Sequence, residues 1–212
     1  MKRLAEYFAG LVKQAELNIL EKMEDGRIET ETSITDRFLE ELENIFEKSY
    51  PIEGVKLRAR TLRDRGPCAP ERKYGADFIA VLDIKLDWIK ETKGFLAQSK
   101  FEREGRYGDI FIDERLKIQT KKMLEITPDS FIFVYHRRGF YVVPSHIIQN
   151  LSSGTIGIIG FEIPIEQFFK NFLICFLGDT RIKAYDDDTL NELRKKVKAR
   201  EGILFSIEEA KR

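Results

Sequence analysis

The hydrophobic period of this chain changes near Pro51, and that change restricts the fold to helices layered on a sheet. Over residues 3–24, Leu4, Phe8, Leu11, Ala15 and Ile19 share one helical stripe, which Asp25-Gly26 closes. A second stripe of Ile34, Phe38, Leu42, Ile45 and Phe46 predicts a helix from Glu31 to Lys48, with Pro51 beyond its end. From Val55 to Leu62 the residues alternate as in a strand. Residues 63–75 contain Gly66, Pro67, Pro70 and Gly75 and read as a loop. A second strand is expected over Ala76–Leu86, a turn over residues 87–94 and a third strand over Phe95–Phe101. A charged loop, a helix over Ile112–Ile126 and a hairpin of Phe131–His136 with Phe140–Val143 follow. Pro164–Phe176 reads as a buried helix, Thr189–Arg200 as an exposed basic one and Ile203–Ala210 as a short tail element. The order helix, three strands, helix, two strands predicts a mixed sheet with helices against it, an α/β or α+β layering.

With 212 residues, 42% hydrophobic and 34% charged, the chain has a soluble composition and suffices for one sizeable core. No apolar run approaches the roughly 18 residues that span a bilayer, and the start, Met1 to Glu6, lacks the apolar stretch of a signal peptide. A cytoplasmic protein with no membrane contact is the expectation. Cys68 and Cys175 stand far apart without metal-ligand spacing, so free thiols are expected and a zinc site is not. Lysine plus arginine equals aspartate plus glutamate, 36 each. A protein that coats nucleic acid is usually basic; this balance leaves room only for a local basic groove. Neither His136 nor His146 falls in a metal or nucleophile pattern, and no Gly-x-Ser-x-Gly or phosphate-cradling glycine loop occurs.

Chemistry concentrates on the second and third strands. Asp77 heads an otherwise apolar strand, where its charge must be solvated, paired or bound to a metal. Gln98 and Lys100 alternate onto the same face of the next strand. A hairpin in the right register brings Asp77 to that face. Hydrolysis of a phosphodiester needs an activated water and relief of phosphate charge. Hard oxygen ligands hold Mg²⁺ for this, and a lysine beside them orients the water and stabilises developing charge. The ordinary alternative is a strand cap at Asp77 and a solvated face carrying Gln98 and Lys100.

Gly75-Ala76-Asp77 followed by Gln98-Ser99-Lys100 resembles the bipartite motif of the PD-(D/E)XK nuclease superfamily, in the Gln-x-Lys form of Mrr-type restriction nucleases. The likeness covers roughly residues 30–145, although Ala76 stands where the family name has proline. It implies a restriction-endonuclease-like α/β fold, a mixed central sheet flanked by helices. Residues 29–150 would form the core, residues 1–28 an N-terminal helical extension and residues 151–212 a C-terminal helical extension packed on it. It also implies a Mg²⁺-dependent endonuclease, with Mn²⁺ as a substitute and DNA more than RNA as partner. Asp77 is then a metal ligand, Gln98 a weaker one and Lys100 the catalytic lysine. A non-catalytic member of the same fold, acting in binding or assembly, is the alternative, and a homodimer is left open.

The family often adds an acid from the first core helix. At about 100° per residue, with Ile34 at zero, Glu31 falls at about 60°, within the apolar stripe, and Glu40 at about 240°, on the opposite face. Glu31 is therefore expected at the site, against the alternative of a charge solvated in a frayed first turn. Asp83, on the strand face of Asp77, is open to a role as an outer ligand and reads more simply as a partner of Lys85. Arg58, Arg60, Arg63 and Arg65, with Arg72 and Lys73, form the expected phosphate-gripping edge. Gln119, Tyr107, the Arg137-Arg138 turn and Trp88 are further candidate contacts, each with an ordinary solvated or packed alternative.

Overall fold

Two helices open the chain where the apolar stripes put them. They are α1 (Lys2–Glu24) and α2 (Glu31–Lys48), the latter capped by the Thr30 side chain, which accepts from the Ser33 N–H. The computed structural model describes residues 1–28, 30–63, 76–102, 106–158 and 160–210. After the helices come β1 (Val55–Arg63), β2 (Phe78–Leu86), β3 (Ile89–Glu102), β4 (Asp109–Ile112), α3 (Glu114–Ile126), β5 (Ser130–His136), β6 (Gly139–Pro144) and α4 (Ser145–Asn150). The remainder is β7 (Gly154–Gly157), β8 (Ile163–Pro164), α5 (Ile165–Leu173), α6 (Asp187–Val197) and β9 (Glu201–Glu209).

Among the described residues, seven strands form one mixed sheet in the order β1-β9-β2-β3-β5-β6-β8, and β4 pairs with β7 apart from it. Strand alternation divides the core into two layers. Phe78, Ala80, Phe95, Ala97, Phe133 and Phe205 point to the face covered by α1, α2 and α5. Ile79, Val81, Leu96, Ile132, Val134 and Leu204 point to the face covered by α3, α4 and α6. The mixed α/β expectation holds at this level.

Two of the differences from the sequence reading bear on the site. The turn expected over residues 87–94 shrinks to Asp87-Trp88, because Leu86 already pairs with Ile89. The charged run Lys90-Glu91-Thr92-Lys93 hides the strand from a hydrophobic pattern, yet its backbone continues the ladder. Its polar groups also find partners: Thr92 donates to Asp83, and the Lys93 ammonium donates to the Leu177 carbonyl. The larger correction is at the C-terminus. Residues 201–209 are not helical extension or tail but β9, an interior strand antiparallel to β1 and parallel to β2. Ile203-Leu204-Phe205 is a continuous apolar run because neighbours cover both of its faces. Leu4 near one end of the chain and Ile207 near the other thus belong to the same buried cluster.

Candidate active site

The register of β2 and β3 decides the site. Phe78 pairs with Ala97, so Asp77, one residue earlier, stands opposite Gln98 on the α3 side of the sheet. The Gln98 amide Nε2 donates to Asp77 Oδ2 at 2.6 Å, and the Ser99 N–H donates to the same oxygen at 2.9 Å. Lys100, two residues along β3, projects from the same face with its side chain 18% exposed and its ammonium 3.9 Å from the carboxylate of Asp113.

Ser99 points the other way and fastens α2 to the sheet. Thr35 Oγ1 bridges the Ser99 hydroxyl at 2.8 Å and the Glu31 carbonyl oxygen at 3.0 Å. That contact holds the first turn of α2 against β3, and the Glu31 carboxylate accepts from the Phe101 N–H at 3.2 Å. Glu31 thus turns inward, as the helical wheel predicts, while Glu40 pairs with Arg37 at the surface.

The electrostatics tie these groups together. Burial pushes the Glu31 carboxyl up to about 6, and the charge of Asp77 adds to the effect. Lys100, the Phe101 N–H and Arg115 oppose it. Burial likewise raises Asp77, against the pull of Arg200, the Ser99 hydrogen bonds and Arg115. Arg115 is exposed at the start of α3. Arg200 reaches Asp36 at 3.1 Å and Glu201 at 3.3 Å, just ahead of β9, whose Glu201 N–H bonds to the Asp77 carbonyl. Sequence reasoning missed both arginines. The position of Arg115 at the head of the helix after the motif strand was a usable signal; Arg200 had none until β9 was known to be an interior strand.

These groups suit a hard cation. Two carboxylates, each shifted toward the protonated form, are held near one another. Beside them the Gln98 Oε1 is buried with no hydrogen-bond partner. A buried acceptor without a donor is costly, and a divalent ion bound by oxygen would satisfy all three groups. Among the described residues no three acidic, histidine or cysteine side chains converge on one point; the converging set is two carboxylates and an amide. Gln98 presents nitrogen to Asp77 because two bare oxygens would repel. Turning the amide over exchanges the two atoms. Gln98→Glu is therefore expected to destabilise the metal-free protein, since it adds a third buried carboxylate, and to bind Mg²⁺ more tightly. Unchanged Mg²⁺ affinity by calorimetry would remove Gln98 from the ligand set.

The other expected contacts are dispersed. Arg58 and Arg60 are exposed on the edge strand β1, facing Glu208 at 3.6 Å and Asp187 at 3.5 Å. Arg60 aligns with Leu204 and, across β9, with Val81. That places it about 13 Å along the sheet and about 10 Å across it from Asp77. The backbone of Arg63 ends β1 level with Phe78, at the site's end of the sheet; its side chain, and Arg65, Arg72 and Lys73, lie outside the described residues. Gln119 is half-buried one helical turn beyond Arg115. Asp83 pairs with Lys85 at 2.6 Å and accepts from Thr92, the simpler of its two readings. Tyr107 packs edge-on against His136 and Tyr141, whereas Trp88 and the Arg137-Arg138 turn are exposed. Cys175 is a free, exposed thiol, and Cys68 lies outside the described residues. Among the described residues no helix is long and apolar enough to cross a membrane.

Comparison with protein-family models, curated proteins and solved structures found no match to this chain. The geometry of this one site therefore carries the functional reading.

Proposed function

We propose that this chain is a divalent-metal-dependent nuclease of PD-(D/E)XK type, hydrolysing phosphodiester bonds in nucleic acid, with DNA as substrate and Mg²⁺ as metal. The observation that carries the reading is the meeting of Asp77 and Gln98 on one sheet face, with Lys100 beside them and Glu31 brought in by α2. Asp77, Glu31 and the carbonyl oxygen of Gln98 would hold the cation. When bound, it neutralises phosphate charge and lowers the pKa of a coordinated water. Lys100 donates a hydrogen bond that orients the attacking water and offsets the charge growing on phosphorus-bound oxygen. Attack forms the new P–O bond as the bond to the leaving oxygen breaks, and that oxygen takes up a proton. Arg115, exposed at the head of α3, offers a planar, permanently charged partner to a non-bridging phosphate oxygen.

A second reading, a non-catalytic binding or assembly module, draws on one specific contact: the Gln98 N–H occupies an Asp77 oxygen that a metal would need. Cleavage of plasmid, linear duplex and single-stranded substrates, titrated with Mg²⁺ and then with chelator, separates the two. Wild type should cleave and stop on chelation, while Lys100→Ala should lose about 10²- to 10³-fold in rate without losing its fold. Binding without cleavage at any Mg²⁺ or Mn²⁺ concentration would leave the module reading.

A further inference from the structure

Positive charge with no acidic partner among the described residues lies close to the site, and it is not that of Arg58 and Arg60 on β1. It rims a pocket of about 260 Å³ between the C-terminal ends of α3 and α6. Ala76, Leu96, Met123 and Val197 give this pocket an apolar lining. Lys122, Lys196, Lys198 and Glu125 supply its charges. The pocket adjoins the site directly. Ala76 precedes Asp77, and Leu96 lies two residues before Gln98 on the same sheet face, about 7 Å along the strand.

The three lysines differ from the β1 arginines in their surroundings. No ion pair joins Lys122, Lys196 or Lys198 to a described residue, whereas Arg58 and Arg60 face Glu208 and Asp187. A lysine at a helix C-terminus is ordinarily explained by the helix dipole. Here the dipoles leave charge over. Two helix ends contribute roughly −0.5 charge each and Glu125 one more negative charge, against three lysine charges. A net charge of about +1 remains over an apolar floor. A carboxylate metabolite would use the charge and waste the floor; a nucleotide uses both, with its base or sugar on the exposed Ile126 of the lining and its phosphate at the lysines.

We infer that this pocket seats the nucleotide of the substrate strand adjoining the scissile phosphate, so that the strand runs from the Asp77–Lys100 site into the gap between α3 and α6. The inference rests on the nuclease reading and assigns the strand's path, which that reading leaves open.

The test measures binding of a single-stranded oligonucleotide and of a short duplex in Ca²⁺, across a range of salt. Wild type is compared with Lys122→Gln/Lys196→Gln/Lys198→Gln and with Arg58→Gln/Arg60→Gln. Removing one phosphate interaction should flatten the slope of log affinity against log salt by about 0.7 for the single strand and about 0.9 for the duplex. At 0.1 M salt that is a weakening of about fivefold for each phosphate released. The lysine variant should show this weakening and a raised KM in Mg²⁺, with kcat and calorimetric metal affinity held. An oligonucleotide with an abasic position stepped along the strand should bind wild type more weakly at one step, the one that empties the pocket. If the lysine variant keeps wild-type affinity and slope while wild type cleaves, the pocket is no subsite and the inference falls alone. If only the β1 variant loses slope, the strand runs along that edge and the inference is overturned. If wild type neither binds nor cleaves nucleic acid, the nuclease reading fails and takes this inference with it.

Discussion

Asp77→Asn is expected to abolish Mg²⁺-dependent cleavage and to melt at a higher temperature than wild type at pH 8. The two halves have one cause. Burial pushes the Asp77 carboxyl toward its protonated form, so at pH 8 the fold holds an ionised group in a place that disfavours the charge. Asparagine removes the charge and keeps the shape. Its side-chain oxygen, in the place of Asp77 Oδ2, still accepts from both the Ser99 N–H and the Gln98 amide. Stability should therefore rise where function is lost, the trade expected at a site kept for chemistry. The neutral oxygen that remains is a poor ligand for Mg²⁺, and the rate should fall by about 10³-fold, the upper end of the range for loss of one electrostatic partner. Thermal melts and cleavage rates on one preparation decide the matter. An Asn variant that cleaves like wild type is incompatible with Asp77 as a metal ligand. A variant that melts lower would mark Asp77 as a strand cap first and a site residue second.

The site was legible in the sequence to the extent that strand alternation could reach it. Gln98 and Lys100 share a face because they are two residues apart, and Asp77 meets them because a tight Asp87-Trp88 turn sets the register. The wheel of α2 separated Glu31 from Glu40 because a helix period assigns faces directly. What stayed hidden needs contacts distant in the chain. Arg200 enters the site only because β9 inserts between β1 and β2, and nothing local in Ile203-Leu204-Phe205 says which strands will flank it. The β1 arginines were legible as charges but not as partners of Glu208 and Asp187, which arrive from residues more than 120 positions later. The lysine-rimmed pocket joins α3 to α6 across the sheet, and each half alone reads as an ordinary basic helix end.

Raising the pH from 4 to 8 should cost the metal-free protein stability through Glu31, and Mg²⁺ should restore it. The folded chain holds the Glu31 proton with a pKa of about 6, against an ordinary 4.5. A carboxyl raised on folding adds stability that is fully present below about 4.5 and lost as pH rises through about 6. A difference of about 1.5 units corresponds to about 2 kcal/mol at neutral pH. Other carboxylates act in the opposite sense. Asp179 is held well below its usual range, chiefly by Arg181, and Glu41 is lowered by Lys22 and Asn18 against the effect of its burial. The raw pH profile of wild type therefore mixes both signs. The difference between wild type and Glu31→Gln isolates the one residue: the variant should gain on wild type between pH 4.5 and 7 and run parallel to it on either side. Mg²⁺ removes the penalty by binding the ionised pair, worth about 2.7 kcal/mol at a hundred times its Kd. Its effect should be large at pH 8, small at pH 5 where protons compete for Glu31, and much reduced at either pH in Glu31→Gln. Melting temperatures on that grid of pH, Mg²⁺ and variant provide the measurement. Equal Mg²⁺ stabilisation in both proteins at both pH values would mean that the cation binds elsewhere, and that Glu31 is an inward acid serving only the Phe101 N–H.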